Sequence, residues 1–94
     1  MPKAVDINLD VTEMVLKLEK EKSPRTIEYS KIDRLEKVTE SVKKWLRTVE
    51  VRGIKVTVKG MDEPIVITSD KLGDYDRIEE HLFKVAEKYD VTVE

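Results

Sequence analysis

This chain of 94 residues has no cysteine and no glutamine, and only single copies of asparagine (Asn8) and histidine (His81). Without cysteine there is no disulfide framework and no thiolate metal site, which fits a reducing compartment. A single histidine leaves too few nitrogen ligands for zinc as well. Gly53, Gly60 and Gly73 stand alone, so no glycine-rich loop offers itself to a phosphate. No apolar run nears the roughly 20 residues of a helical membrane span. The opening stretch MPKAVDINLD lacks the apolar core of a signal peptide. These absences lead to the expectation of a cytoplasmic protein with no metal, no cofactor and no membrane partner.

What the chain has in quantity is charge. Asp, Glu, Lys and Arg make up 40% of it, and few residues are thermolabile. That is the composition of a hyperthermophile protein, and of a designed one. The net charge of −2 conceals an asymmetry: residues 1–59 hold 14 Lys/Arg against 10 Asp/Glu, while residues 60–94 hold 4 against 10. A chain with a basic and an acidic portion can steer a partner, or another copy of itself. The length suits a single domain, 1–94, since two cores would each be too small.

The second half reads most directly. Ile54, Val56 and Val58 alternate with Lys55, Thr57 and Lys59, the pattern of a half-buried strand. After the turn GMDEP, Ile65 and Ile67 continue on a β-branched strand. Asp74 stands where a helix N-cap would, ahead of Tyr75, Ile78, Leu82, Val85 and Tyr89 at helical spacing, and VTVE closes with strand alternation. Shifted by 40, Pro64 falls on Pro24, Ile67 on Ile27 and Lys71 on Lys31, which suggests an internal repeat, about 5–48 and 49–94.

The repeat bears on residues 13–31, EMVLKLEKEKSPRTIEYSK. Helix propensity and an Asp10/Glu13 capping box favour a helix. The match of Leu16 and Leu18 to Val56 and Val58 favours a hairpin, and the hairpin is the reading adopted. For residues 31–48, Ile32, Leu35, Val38, Val42, Trp45, Leu46 and Val49 form one helical stripe behind Ser30 as cap. The fold expected is therefore α+β: two tandem ββα(β) units, one antiparallel sheet, and two helices packed on one face as a two-layer sandwich. Trp45, Tyr75 and Tyr89 are expected in the core or at its rim.

Catalytic constellations are lacking. His81 sits beside Glu80 and a turn from Arg77, where a packing role is the ordinary one. The serines have no base, and DKLGDYD lacks the ligand spacing of a calcium loop. A non-enzymatic role is expected. Phe83 falls off the apolar stripe of its helix, among Asp76, Glu79, Glu80 and Glu87, and an outward phenylalanine is an interface anchor. Phe83, Glu79, Glu80 and Glu87 are thus the candidate protein interface of a small module that docks a protein partner or pairs as a homodimer. The alternative is a nucleic-acid accessory protein using Lys17, Lys20, Lys22, Arg25, Arg52, Lys55 and Lys59 on two hairpins.

Overall fold

In residues 14–18 and 54–58 buried apolar side chains recur at every second position, and in the first of these the strand period prevails over a competing helix propensity. The computed structural model describes residues 2–94. The strands are β1 (Ala4–Leu9), β2 (Glu13–Leu18), β3 (Arg25–Glu28), β4 (Ile32–Lys44), β5 (Arg47–Val58), β6 (Ile65–Thr68) and β7 (Thr92–Val93); the helix α1 spans Tyr75–Lys88. One sheet has the order β1-β2-β3, the other β6-β5-β4-β7. All pairs are antiparallel except β7, which runs parallel to β4. The two sheets meet where Lys3 bridges Val66 in parallel and the Val66 amide donates to the Pro2 carbonyl at 2.9 Å.

The core follows from the alternation. Met14, Leu16 and Leu18 of β2, Ile54, Val56 and Val58 of β5, and Ile65 and Ile67 of β6 all lie inside. In α1 the residues Tyr75, Ile78, Leu82, Val85 and Ala86 are buried, the three- and four-residue spacing of a helix with one covered face. Burying a side chain such as Ile78 or Leu82 stabilises by about 1.5–3 kcal/mol, so truncating either would threaten a domain this small.

The two-helix architecture expected from the sequence is overturned. Residues 31–48 are not a helix: a short 3₁₀ turn at Tyr29–Lys31 leads into the 13-residue strand β4. The described residues contain one α-helix, of 14 residues. A bulge is part of the reason. The pairing of β4 with β5 shifts register between Ile32 and Arg34, which puts Ile32 and Leu35 on one face although they are three apart. A bulged strand thus imitates the spacing of a helical turn, and the long pairing with β5 outweighs local helix propensity.

The recurring unit is βββ rather than ββα. Adding 28 to the numbers of β1, and 40 to those of β2 and β3, gives residues 32–37 of β4, 53–58 of β5 and the whole of β6, with their registers. Ala4 pairs with Leu18 as Ile32 pairs with Val58, and the bulge between Ala4 and Asp6 answers that between Ile32 and Arg34. Glu19 donates to the Lys3 carbonyl at 2.7 Å as Lys59 donates to Lys31 at 2.9 Å. The hairpin tips correspond too, with positive φ at Lys20 (76°) and Gly60 (84°). The units diverge afterwards, one continuing through the 3₁₀ turn and the other through α1.

Candidate functional site

The segment whose expected helix failed to form carries the most unusual surface. β6 pairs with β5 only as far as Gly53, and β7 with β4 only at Arg34 and Leu35. From Thr39–Arg52 outward, β4 and β5 therefore pair with each other alone, through Lys44–Arg47. Thr39, Ser41, Thr48, Val49 and Val51 suit such a ribbon, being β-branched or small. Directly opposed residues share a face, so Val42 and Val49 are cross-strand partners, and Val51 sits opposite Glu40. These valines are half-buried.

Two residues, Trp45 and Leu46, close the ribbon. They are 91% and 88% exposed, and Trp45 has φ of 51°, in the left-handed region. A two-residue hairpin turn with positive φ at its first central position normally takes glycine there. A bulky side chain at that position costs about 1–2 kcal/mol, and here the ring gains almost no burial in return. Lys43, Lys44 and Arg47 flank the pair and are exposed. The tip is an apolar dipeptide inside a collar of three cations. The expectation that Trp45 lies in the core or at its rim is reversed.

The expected interface residues all lie on α1 and differ in burial. Phe83 is half-buried against the core, with the Lys37 ammonium 5.0 Å from its ring centre. Glu80 pairs with Lys84 at 3.1 Å, Glu79 is half-buried and Glu87 exposed. Together they border a shallow depression of about 510 Å³ with Asp76 and Lys37.

Of the seven cations of the nucleic-acid alternative, Arg25 and Lys59 border one groove and the others lie outside it. Lys17 lies on β2, and Lys20 and Lys22 in the turn after it. Arg25 is bound to Glu21 at 2.7 Å. Arg52 is hydrogen-bonded to Asp76, which raises its pKa, and its guanidinium lies 5.3 Å from the Tyr75 ring centre. Lys55 is half-buried on β5 and Lys59 exposed after it. Lys20 borders one concavity with Glu19, Glu63 and Asp70, so carboxylates interrupt the basic surface there.

His81 is a neighbour of Tyr29, its Nε2 3.4 Å from the phenolic oxygen, while that hydroxyl donates to the Asp10 carbonyl at 2.7 Å. Burial raises the Tyr29 pKa. Asp74 does not cap α1 with its side chain; Arg77 binds it at 2.5 Å and lowers its pKa. Among the described residues no three of His, Cys, Asp or Glu are grouped to hold a metal, and no helix is long and apolar enough to cross a membrane.

The ribbon tip escaped the sequence reading because its turn contains no glycine, asparagine or proline. The flanking residues carry only a faint symmetry: Lys44 with Arg47 and Val42 with Val49 are matched about Trp45–Leu46, while Lys43/Thr48, Ser41/Glu50 and Glu40/Val51 are not. Compared with protein-family models, curated proteins and solved structures, the chain matches none of them.

Proposed function

We propose that this protein is a non-enzymatic binding module whose working element is the β4–β5 ribbon, and that Trp45 and Leu46 dock into an apolar socket with an acidic rim on a protein partner. One observation carries this reading: a tryptophan held in the left-handed region at a tip where it contacts little else of its own chain. The strain disfavours the isolated fold and the exposed ring adds almost nothing to it, so their benefit lies in an encounter. Tryptophan is the commonest anchor of binding hot spots, and burying it with its leucine neighbour supplies about 1.5–3 kcal/mol for each side chain. Lys43, Lys44 and Arg47 would meet carboxylates on the socket rim and speed the encounter. Glu40 and Glu50 on the ribbon favour a protein over nucleic acid, whose phosphates they would repel.

A photo-crosslinking amino acid in place of exposed Thr48, beside the intact Trp45–Leu46 tip, irradiated in cells expressing the chain, tests the reading. Covalent adducts to protein, lost when Leu46 is changed to Ser, support it. Adducts to nucleic acid or lipid alone, or none, overturn it. Sedimentation of the purified chain over a range of concentrations separates a second copy from a different protein.

A further inference from the structure

The correspondence between the two units exposes a second site, independent of the ribbon. In the second unit the outer edge of β6 is covered: Val66 donates its amide to Pro2 at 2.9 Å, and Lys3 bridges Val66 in parallel. Thr26 on β3 is the counterpart of Val66, 40 residues earlier. Tyr29 donates to Thr12 at 3.0 Å, as Ser69 donates to Arg52 at 2.8 Å, so in both hairpins the odd-numbered residues bond inward. The backbone groups of Thr26 and Glu28 therefore point away from β2. Among the described residues no strand lies on that side, because β3 ends its sheet.

Against this bare edge lies a groove of about 550 Å³, with Ile27, Val58 and Met61 as its apolar lining. Lys31 and Lys59 border it and take part in no ion pair among the described residues, and Arg25 stands beside them, held by Glu21. Glu13 and Glu28 are the carboxylates of the same border. The occupied edge of the second unit shows what geometry such an edge accepts: a short extended segment in parallel, joined through backbone hydrogen bonds.

We infer that the outer edge of β3 binds an extended peptide segment of a partner protein, parallel to β3. Alternate side chains of the peptide are apolar and face Ile27, Val58 and Met61, and a carboxylate of the peptide meets Lys31 and Lys59. Main-chain bonding supplies affinity in this mode and the alternate pockets supply selectivity. The Thr26 amide is the donor that corresponds to the one Val66 gives to Pro2.

Selection of a displayed library of random ten-residue peptides on the purified chain tests this. Enriched peptides are expected to alternate apolar residues and to carry Asp or Glu. Thr26→Pro removes the outward donor at a sheet edge, where proline is tolerated, and is expected to weaken a selected peptide about tenfold. Lys31→Glu with Lys59→Glu, surface changes that leave the fold intact, is expected to abolish the preference for acidic peptides. Trp45→Ala is expected to change neither result, which separates this site from the ribbon. No enrichment overturns the inference, as does peptide binding indifferent to both Thr26→Pro and the double lysine change. A wild-type dimer that Thr26→Pro turns into monomer also overturns it, because the edge then belongs to a second copy.

Discussion

Replacing Trp45 with glycine should make this protein more stable. The turn holds residue 45 at φ of 51°, a conformation glycine adopts freely and an L side chain does not. Relief of that strain is worth about 1–2 kcal/mol. Against it stands the greater freedom of glycine in the unfolded chain, about 0.5–1 kcal/mol. Packing adds almost nothing to the loss, because the Trp45 side chain is 91% exposed. The net expectation is a gain of about 0.5–1 kcal/mol, or a melting temperature raised by about 2–8 °C for a domain of this size. Calorimetry and guanidinium unfolding measure it, and the guanidinium slope should stay unchanged because the core is untouched. A loss of 1 kcal/mol or more would refute the reasoning, since it would show that the ring packs on its own chain. The same variant should lose the docking proposed for the tip. Stability and binding would then move in opposite directions, as at sites retained for function.

Other substitutions test the body of the fold. Tyr29→Phe removes the hydrogen bond to the Asp10 carbonyl and should cost about 1 kcal/mol in urea unfolding. Tyr75→Phe should be neutral or stabilising, because among the described residues the buried Tyr75 hydroxyl meets no partner in good hydrogen-bonding geometry, and the neighbouring Glu79 carboxylate acts mainly to hinder its ionisation. Burial raises the pKa of both tyrosines, reinforced at Tyr75 by the Glu79 carboxylate. The unfolded chain therefore gives up these protons first: stability is complete below pH 10.0, the ordinary tyrosine value, and falls as pH rises above it. Tyr75→Phe should flatten that alkaline decline, and an unchanged slope would contradict the assignment. Gly53→Ala would place a methyl 3.2 Å from the Ile67 carbonyl oxygen and 3.3 Å from Val38 Cγ2. A carbonyl held in a sheet cannot withdraw, so a cost of about 1–3 kcal/mol is expected on thermal melting. Lys20→Gly should stabilise by up to about 1 kcal/mol, as Lys20 holds φ of 76° where its counterpart is Gly60.

The parts of the fold visible in the sequence are those in which local pattern and tertiary environment agree. Ile54, Val56 and Val58 alternate and are buried on one face; Ile78, Leu82 and Val85 step by helical intervals and are buried by α1. In EMVLKLEKEK propensity pointed to helix, but β2 forms there, because Met14, Leu16 and Leu18 fill the core at a strand spacing. β4 was illegible for two separate reasons. Its bulge gives Ile32 and Leu35 helical spacing, and past Lys37 its valines lie on the face opposite Leu35. Without a turn signal at Trp45–Leu46, nothing local divided one long helix from two strands. The candidate site was lost with the turn: a tryptophan counted among core residues cannot also be seen as a tip. The bare edge of β3 is a property of topology, and no pattern within ArgThrIleGlu announces it.

The unequal offsets of the two units, 28 for the first strand and 40 for the hairpin, make the ribbon a detachable part. Four residues, 10–13, join Leu9 to Met14; sixteen, 38–53, join their counterparts Lys37 and Ile54. The surplus of twelve is the arm, and the first unit shows that such strands connect without it. Putting Asp10–Thr12 in place of residues 38–52, with Gly53 kept, should leave a chain that still forms α1 and its core, judged by circular dichroism and cooperative melting. A body that closes by itself does not constrain what is mounted on it. The arm could lengthen, shorten or exchange its two terminal residues in the course of evolution while the core stayed as it is, so its partner could change faster than its fold.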